Sequence, residues 1–397
     1  MTPQENRKLK ERRTPARNPV VFLQQHGQAV WLDFLARRFI ADGSLKKLIE
    51  HDGLTGVTSN PSIFAKAIAG NSGYDLSLKR IVANNKLDLV ALYEQLAIED
   101  IGNVADLLRP VFEATKGSDG FVSLEVSPYL AMSTEATITE ARRLWRAIAR
   151  DNIMIKVPAT SAGLPAIRQL TSEGININIT LLFSQHFYEQ VVEAYLAGLE
   201  HLVAQGRDPS NVASVASFFV SRIDVAVDKL LDERLRQTTD LAERKMISEL
   251  RGKVAIANAK LAYQRYKRRF SSPRWEKLRT KGARVQRLLW ASTGTKNKDY
   301  SDVLYIEELI GPGTINTMPP ATIDAFRDHG KVRPTLDANV AQAEEVMATL
   351  HRCGICIDAV TAKLTEDAVQ LFADAFDKLF GVLSCKRDAI LDETLDG

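Results

Sequence analysis

Cysteine is scarce in this chain, with only Cys353, Cys356 and Cys385 among 397 residues. A small, odd number excludes a disulfide framework and suits a reducing compartment. Cys353-Gly354-Ile355-Cys356 spells CxxC, yet no second CxxC and no histidine pair accompanies it, so neither a zinc site nor a thioredoxin-type centre is expected. Histidine is also sparse, six residues with no HxH or HExxH, and no metal is expected. No run of 18 or more apolar residues occurs, which excludes a membrane-spanning helix. Charge of one sign is lacking too: 52 Lys and Arg against 49 Asp and Glu leave a net charge of +3. Such a balance argues against a dedicated nucleic-acid binder. It leaves room for the few local cations that a phosphorylated metabolite needs. Low-complexity tracts are absent, and unit spacing is too irregular for a solenoid.

What is present is a chain 45% hydrophobic, ample for a large core. Short apolar or alternating runs recur at 29–34, 56–60, 121–126, 153–158, 175–180, 213–220, 287–293 and 313–318, with helical period between them. Leu89, Leu92 and Leu96 fall on one stripe, as do Ile138, Ala141, Trp145 and Ile148. Thr137 with Glu140 reads as a capping box at the start of the second of these helices. Strands alternating with helices in this number predict an α/β protein, a (β/α)8 TIM barrel. A doubly wound open sheet is the alternative, but no GxGxxG follows the first strand. The connections 63–119 and 224–282 each have room for more than one helix. Val360, Leu364, Ala368, Leu371, Phe372, Phe376 and Leu379 predict a long amphipathic C-terminal helix packed on the barrel. Residues 1–18 are rich in Arg and Lys, lack an apolar core segment, and read as a solvated, flexible tail. Residues 19–397 then form one barrel domain with helical insertions, in a protein expected to be cytoplasmic.

The run Ile153-Met154-Ile155-Lys156-Val157-Pro158 reads as a buried parallel strand interrupted by an amine. Burial disfavours the ammonium and lowers its pKa, which turns a lysine into a nucleophile toward carbonyls. In a barrel, reactive groups sit at the carboxyl ends of the strands. Strand one ends at Asp33, strand two at Asn60 and strand three near Glu125; strand four holds Lys156. Period two places Asn176, Asn178 and Thr180 of strand five on one face. Strand six leads through Ser217 to Arg222, and strand seven through Ser292 to Lys296. Each has a simpler reading: Asp33 as a helix cap, Asn60-Pro61 as a turn, the asparagines as one side of a half-exposed strand. Taken together they form one amine nucleophile, two carboxylates, several amide or hydroxyl donors and two cations. That inventory suits Schiff-base chemistry on a sugar phosphate, with the protonated imine acting as electron sink in place of a metal.

Three segments carry a resemblance. Asp52-Gly53-Leu54-Thr55-Gly56-Val57-Thr58-Ser59-Asn60-Pro61-Ser62-Ile63-Phe64, Ile153-Met154-Ile155-Lys156-Val157-Pro158-Ala159-Thr160, and Gly174-Ile175-Asn176-Ile177-Asn178-Ile179-Thr180-Leu181-Leu182-Phe183-Ser184 resemble, in order, signature blocks of the transaldolase family. The resemblance extends over 29–320 and takes in the terminal helix. It implies that Lys156 forms the imine and that Asp33 takes and returns the C4 hydroxyl proton. Glu125 would act through a water held with Thr180. Asn60, Asn178 and Ser217 would bind the retained dihydroxyacetone unit, and Arg222 the substrate phosphate. Many family members carry an arginine two residues after the strand-seven serine. Here Ser292 and Lys296 are assigned to phosphate, Lys296 acting as a point charge. No cofactor is implied. The implied partners are sedoheptulose 7-phosphate, fructose 6-phosphate, glyceraldehyde 3-phosphate and erythrose 4-phosphate, with monomer or homodimer left open. An aldolase that releases free dihydroxyacetone is the near alternative, and a non-catalytic sugar-phosphate-binding barrel the distant one.

Overall fold

The computed structural model describes residues 18–69, 72–84 and 88–395. The basic segment 1–18 therefore lies, apart from Asn18, outside the described residues. Eight parallel strands close into a barrel in chain order: β1 Gln28–Asp33, β2 Gly56–Thr58, β3 Phe121–Glu125, β4 Ile153–Pro158, β5 Ile177–Leu182, β6 Ser214–Phe219, β7 Gln286–Ala291 and β8 Thr314–Met318. Strand β8 pairs back onto β1, so the sheet has no edge. β4 is buried along its whole length, as expected of a strand covered on both faces by side chains and helices.

All eight predicted strands are present, β4 with its expected bounds and the others with shifted ends. β2 is only three residues long, because Pro61 opens the helix Pro61–Ala69 directly after Asn60. β5 starts two residues later than its apolar pattern suggests and runs to Leu182. Its pairing with β6 shifts between Ile179 and Leu182, and Leu181 adopts φ 59° there. Bulges of this kind re-aim side chains beside functional sites.

The lower barrel is plugged by one interlocked group. The Trp31 indole N–H donates to Asp119 Oδ1 at 2.8 Å, and Arg287 Nη1 lies 3.1 Å from Asp119 Oδ2. Gly56 makes room for the indole: a Cβ there would fall 2.4 Å from its ring.

The helices follow the sequence with two corrections. The helix Thr134–Ile148 is capped by Ser133, whose hydroxyl accepts from the Ala136 amide at 3.4 Å, and not by a Thr137–Glu140 box. Thr137 lies a turn further in, where its hydroxyl donates to the Leu130 carbonyl at 3.0 Å. The connection after β2 holds helices Pro61–Ala69, Asp75–Asn84 and Leu89–Ala114. The connection after β6 holds Ser221–Gln237, Leu241–Leu250, Val254–Arg269 and Pro273–Arg279. The terminal helix Ile357–Leu395 has 39 residues and packs on all three helices that follow β2. Its buried stripe is Ala368, Phe372, Phe376, Leu379 and Leu383, while Leu371 faces outward at 51% exposure. Phe376 meets Tyr93 edge-on at 5.2 Å, and Tyr93 meets Phe64 at 5.6 Å. Cys353, at the end of the helix Val340–Arg352, is a buried free thiol, and Cys356 an exposed one. Among the described residues, no helix is long and apolar enough to cross a membrane.

Candidate active site

Parallel register puts Glu125, Lys156 and Asn178 side by side on β3, β4 and β5, and Asp33 beside Thr58 and Ser123 on β1, β2 and β3. Directly paired residues share a face, and these face the barrel interior near its carboxyl end. Lys156 is buried at 5% exposure. Its Nζ donates to the Ser59 carbonyl at 2.9 Å and lies 3.1 Å from Glu125 Oε2. The second contact is an ion pair without hydrogen-bond alignment, which leaves Glu125 Oε2 with no directional partner among the described residues. Thr180 Oγ1 is likewise buried and unpartnered among them.

Asp33 retains partial exposure at the mouth. The protein around it still excludes enough water to raise its carboxyl above the ordinary value. A hydrogen bond from Thr58 Oγ1 at 2.8 Å pulls the other way, as do the charges of Lys156, Lys296 and Arg222 in that order. Burial also raises Glu125, against the pull of Lys156. Two carboxyls held above their usual range beside one amine are groups suited to passing protons.

Around this centre a relay of neutral groups is fully engaged. Ser217 Oγ donates to Asn178 Oδ1 at 2.7 Å, and Asn178 Nδ2 donates to Ser123 Oγ at 3.0 Å. Asn60 stands not in the simple turn expected with Pro61 but at the start of a helix. Its Oδ1 accepts from the Ile63 amide at 3.0 Å and caps the following helix. Asn176 works at the foot of β5, where its Nδ2 donates to the Asp151 carbonyl at 2.9 Å and its Oδ1 accepts from the Ala213 amide at 2.8 Å.

The cationic residues lie at the rim. Arg222 is in the first turn of the helix Ser221–Gln237, half-buried, with its guanidinium 5.7 Å from the Phe219 ring centre; burial lowers its pKa and Asp33 offsets that. Ser292 follows β7 with φ 55°, and its hydroxyl is paired with Ser221 Oγ at 3.0 Å. Lys296 is exposed on the same loop, within electrostatic reach of Asp33. Thr58, Ser123, Thr317 and Ser221 were not singled out by sequence reasoning. Thr58 Oγ1 also lies 2.9 Å from Thr317 Oγ1, closing a hydroxyl chain beneath Asp33. Period two from Gly56 was the available signal for Thr58.

A closed (β/α)8 barrel whose mouth holds a buried lysine and two raised carboxyls defines a class: a barrel enzyme equipped for imine chemistry. A sequence profile described as Transaldolase/Fructose-6-phosphate aldolase matches residues 30–383. A curated "Transaldolase" from Trichodesmium erythraeum is 47% identical over 371 residues, 93% of this chain and 97% of its own. "Transaldolase 2" from Nostoc sp. is 48% identical over 372 residues, with the same coverage. A "Transaldolase" from Frankia alni is 44% identical over 368 residues, 92% of this chain and 97% of its own. The chain belongs to the transaldolase/fructose-6-phosphate aldolase family.

Proposed function

We propose that this protein is a transaldolase that carries a dihydroxyacetone unit from sedoheptulose 7-phosphate to glyceraldehyde 3-phosphate on Lys156, giving erythrose 4-phosphate and fructose 6-phosphate. Glu125 takes a proton from the Lys156 ammonium, and the neutral amine adds to the C2 carbonyl of the ketose. Glu125 returns the proton, through a water that the Thr180 hydroxyl helps to hold, to the carbinolamine hydroxyl that leaves as water. The resulting iminium draws the electron pair of the C3–C4 bond as Asp33 removes the C4 hydroxyl proton. The shortened aldehyde departs and an enamine remains. Attack of that enamine on the acceptor aldehyde reverses the step, Asp33 giving its proton back, and hydrolysis frees Lys156.

Asn60, Asn178 and Ser217 hold hydroxyls of the retained three carbons. Arg222, Ser292 and Lys296 hold the phosphate at the rim. The observation that supports this reading best is Lys156 Nζ, buried inside the barrel 3.1 Å from Glu125 and on the same interior as Asp33. Borohydride reduction in the presence of fructose 6-phosphate tests it. A three-carbon adduct on the peptide containing Lys156 is expected; an adduct on another lysine, or none, overturns the reading. The family description also covers fructose-6-phosphate aldolase. Free dihydroxyacetone released at the same rate with and without an acceptor aldehyde would favour that activity instead.

A further inference from the structure

The groups assigned to phosphate come from two segments that meet only at the rim. Arg222 opens the helix Ser221–Gln237 after β6, whereas Ser292 and Lys296 lie on the loop after β7. The segments are joined at the strand ends, where the Ser221 amide donates to the Ser292 carbonyl at 3.1 Å and the two hydroxyls lie 3.0 Å apart, but these bonds do not reach far enough to anchor Lys296, four residues on. Two carboxylates one helical turn apart do so from below. Asp224 and Asp228 are buried on the same face of the Arg222 helix.

Asp224 Oδ2 accepts from the Tyr305 hydroxyl at 2.9 Å, and its Oδ1 accepts from the Ala255 amide at 2.7 Å. Asp228 Oδ2 accepts from the Tyr300 hydroxyl at 2.7 Å, and its Oδ1 accepts from the Gly252 amide at 3.2 Å. Each carboxylate thus joins its own helix to the start of the helix Val254–Arg269 and to the segment carrying Lys296. Gly252 has φ 68°, and a Cβ there would lie 2.8 Å from the Tyr300 ring, so the ring is pressed against backbone and has little freedom to tilt. A cavity of about 510 Å³ lies between the two segments, with Asp228, Arg251, Lys296, Asn297 and Tyr300 on its wall. Buried carboxylates are costly for mere adhesion, which apolar side chains would supply. Hydroxyl-to-carboxylate bonds add direction.

We infer that the Tyr300–Asp228 and Tyr305–Asp224 pairs are positioning residues for the phosphate arm: they hold the Lys296 loop at a set distance from Arg222 and thereby set the preference for phosphorylated over unphosphorylated sugars. The inference rests on the proposed transaldolase reading. Tyr300→Phe keeps the ring against Gly252 and removes the hydroxyl's bond to Asp228 together with its contact with Arg251.

The test measures steady-state kinetics of Tyr300→Phe with fructose 6-phosphate and with fructose as donors, and inhibition by inorganic phosphate. KM for fructose 6-phosphate and the inhibition constant for phosphate are expected to rise together by about tenfold, the loss of one charge-assisted hydrogen bond. The shift in kcat should be much smaller, and KM for fructose should not follow. If KM for the two donors changes alike, if kcat alone falls, or if nothing changes, the inference fails. Should Tyr300→Phe not yield folded protein, Asp228→Asn is judged by the same donor ratio. The one oxygen left still accepts from the Gly252 amide and the new NH2 can donate to the Tyr300 hydroxyl, a neutral bond in place of a charge-assisted one, so a shift in the same direction but smaller is expected, and an unchanged ratio overturns the inference. Borohydride trapping separates this from the larger claim. A wild-type enzyme that forms no adduct on Lys156 refutes the imine mechanism, whereas an adduct with an unmoved donor ratio refutes only the positioning role.

Discussion

At the floor of the barrel Arg287 lies 3.1 Å from Asp119; at the mouth Lys156 lies 3.1 Å from Glu125. The separations match, but the surroundings do not. Asp119 also takes the Trp31 indole N–H and the Gly120 amide, so both its oxygens have directional donors. Glu125 Oε2 has a charge beside it and no aligned donor among the described residues, and Thr180 Oγ1 nearby along β5 is also unengaged. A carboxylate with donors on both oxygens holds strands in place. An unsaturated pair keeps a lone pair available for a proton in transit. One closed sheet thus supplies both a clamp and the centre proposed to react, and the number of donors around each carboxylate separates them.

Substitutions at the two ends sharpen the contrast. Asp33→Asn should lower kcat by about 10²–10⁴-fold, the usual worth of a general base, while imine formation survives. Borohydride trapping with fructose 6-phosphate should then capture the uncleaved six-carbon adduct on Lys156; a three-carbon adduct at the wild-type rate would contradict the role given to Asp33.

Asp119→Ala at the floor should do the reverse. Leaving the partly exposed Arg287 and the buried Trp31 indole without their acceptor is expected to cost about 1–3 kcal/mol in urea denaturation, with kcat of the folded fraction near wild type. A large loss of kcat with unchanged stability would erase the distinction between the ends.

The smallest effect is a shift in pH. Asp33 and Glu125 must be ionised to accept protons, and burial raises both, so kcat/KM should fall as pH drops through values above the ordinary carboxylate range. Thr58→Val removes the hydrogen bond that holds Asp33 down, and should move that acid limb upward. A limb that stays put would assign it to another group. Stability runs opposite in sign. A carboxyl raised on folding binds its proton more tightly in the native state, so its contribution grows as pH falls from its folded pKa toward its unfolded one.

Much of this was readable in the chain. Buried parallel strands are near-continuous apolar runs, so all eight stood out, and Lys156, Asp33 and Glu125 stood out against them as charges at strand ends. The shift of β5 was not legible, because the left-handed turn at Leu181 answers to the register of β6 and not to local preference. Thr58, Ser123 and Thr317 look in sequence like ordinary strand residues. Only closure of the barrel brings Thr317 to Thr58, 259 residues apart, and so builds the hydroxyl chain under Asp33. The Tyr300–Asp228 bond spans 72 residues and was equally hidden. Leu371 and the Thr137–Glu140 pair show the other limit: a helical stripe or cap can be read one residue or one turn out of place, and packing decides.

The terminal helix adds a matter of timing. The last barrel strand is complete at Met318, whereas the ring that covers Tyr93 belongs to Phe376. On a ribosome the sheet could close well before its aromatic seam at Phe64 and Tyr93 acquires a cover. Lys386, which lies 2.6 Å from Asp75, fastens the cover later still. Until then the newborn chain carries a sticky strip, and a message cut short before residue 357 would leave it bare for good.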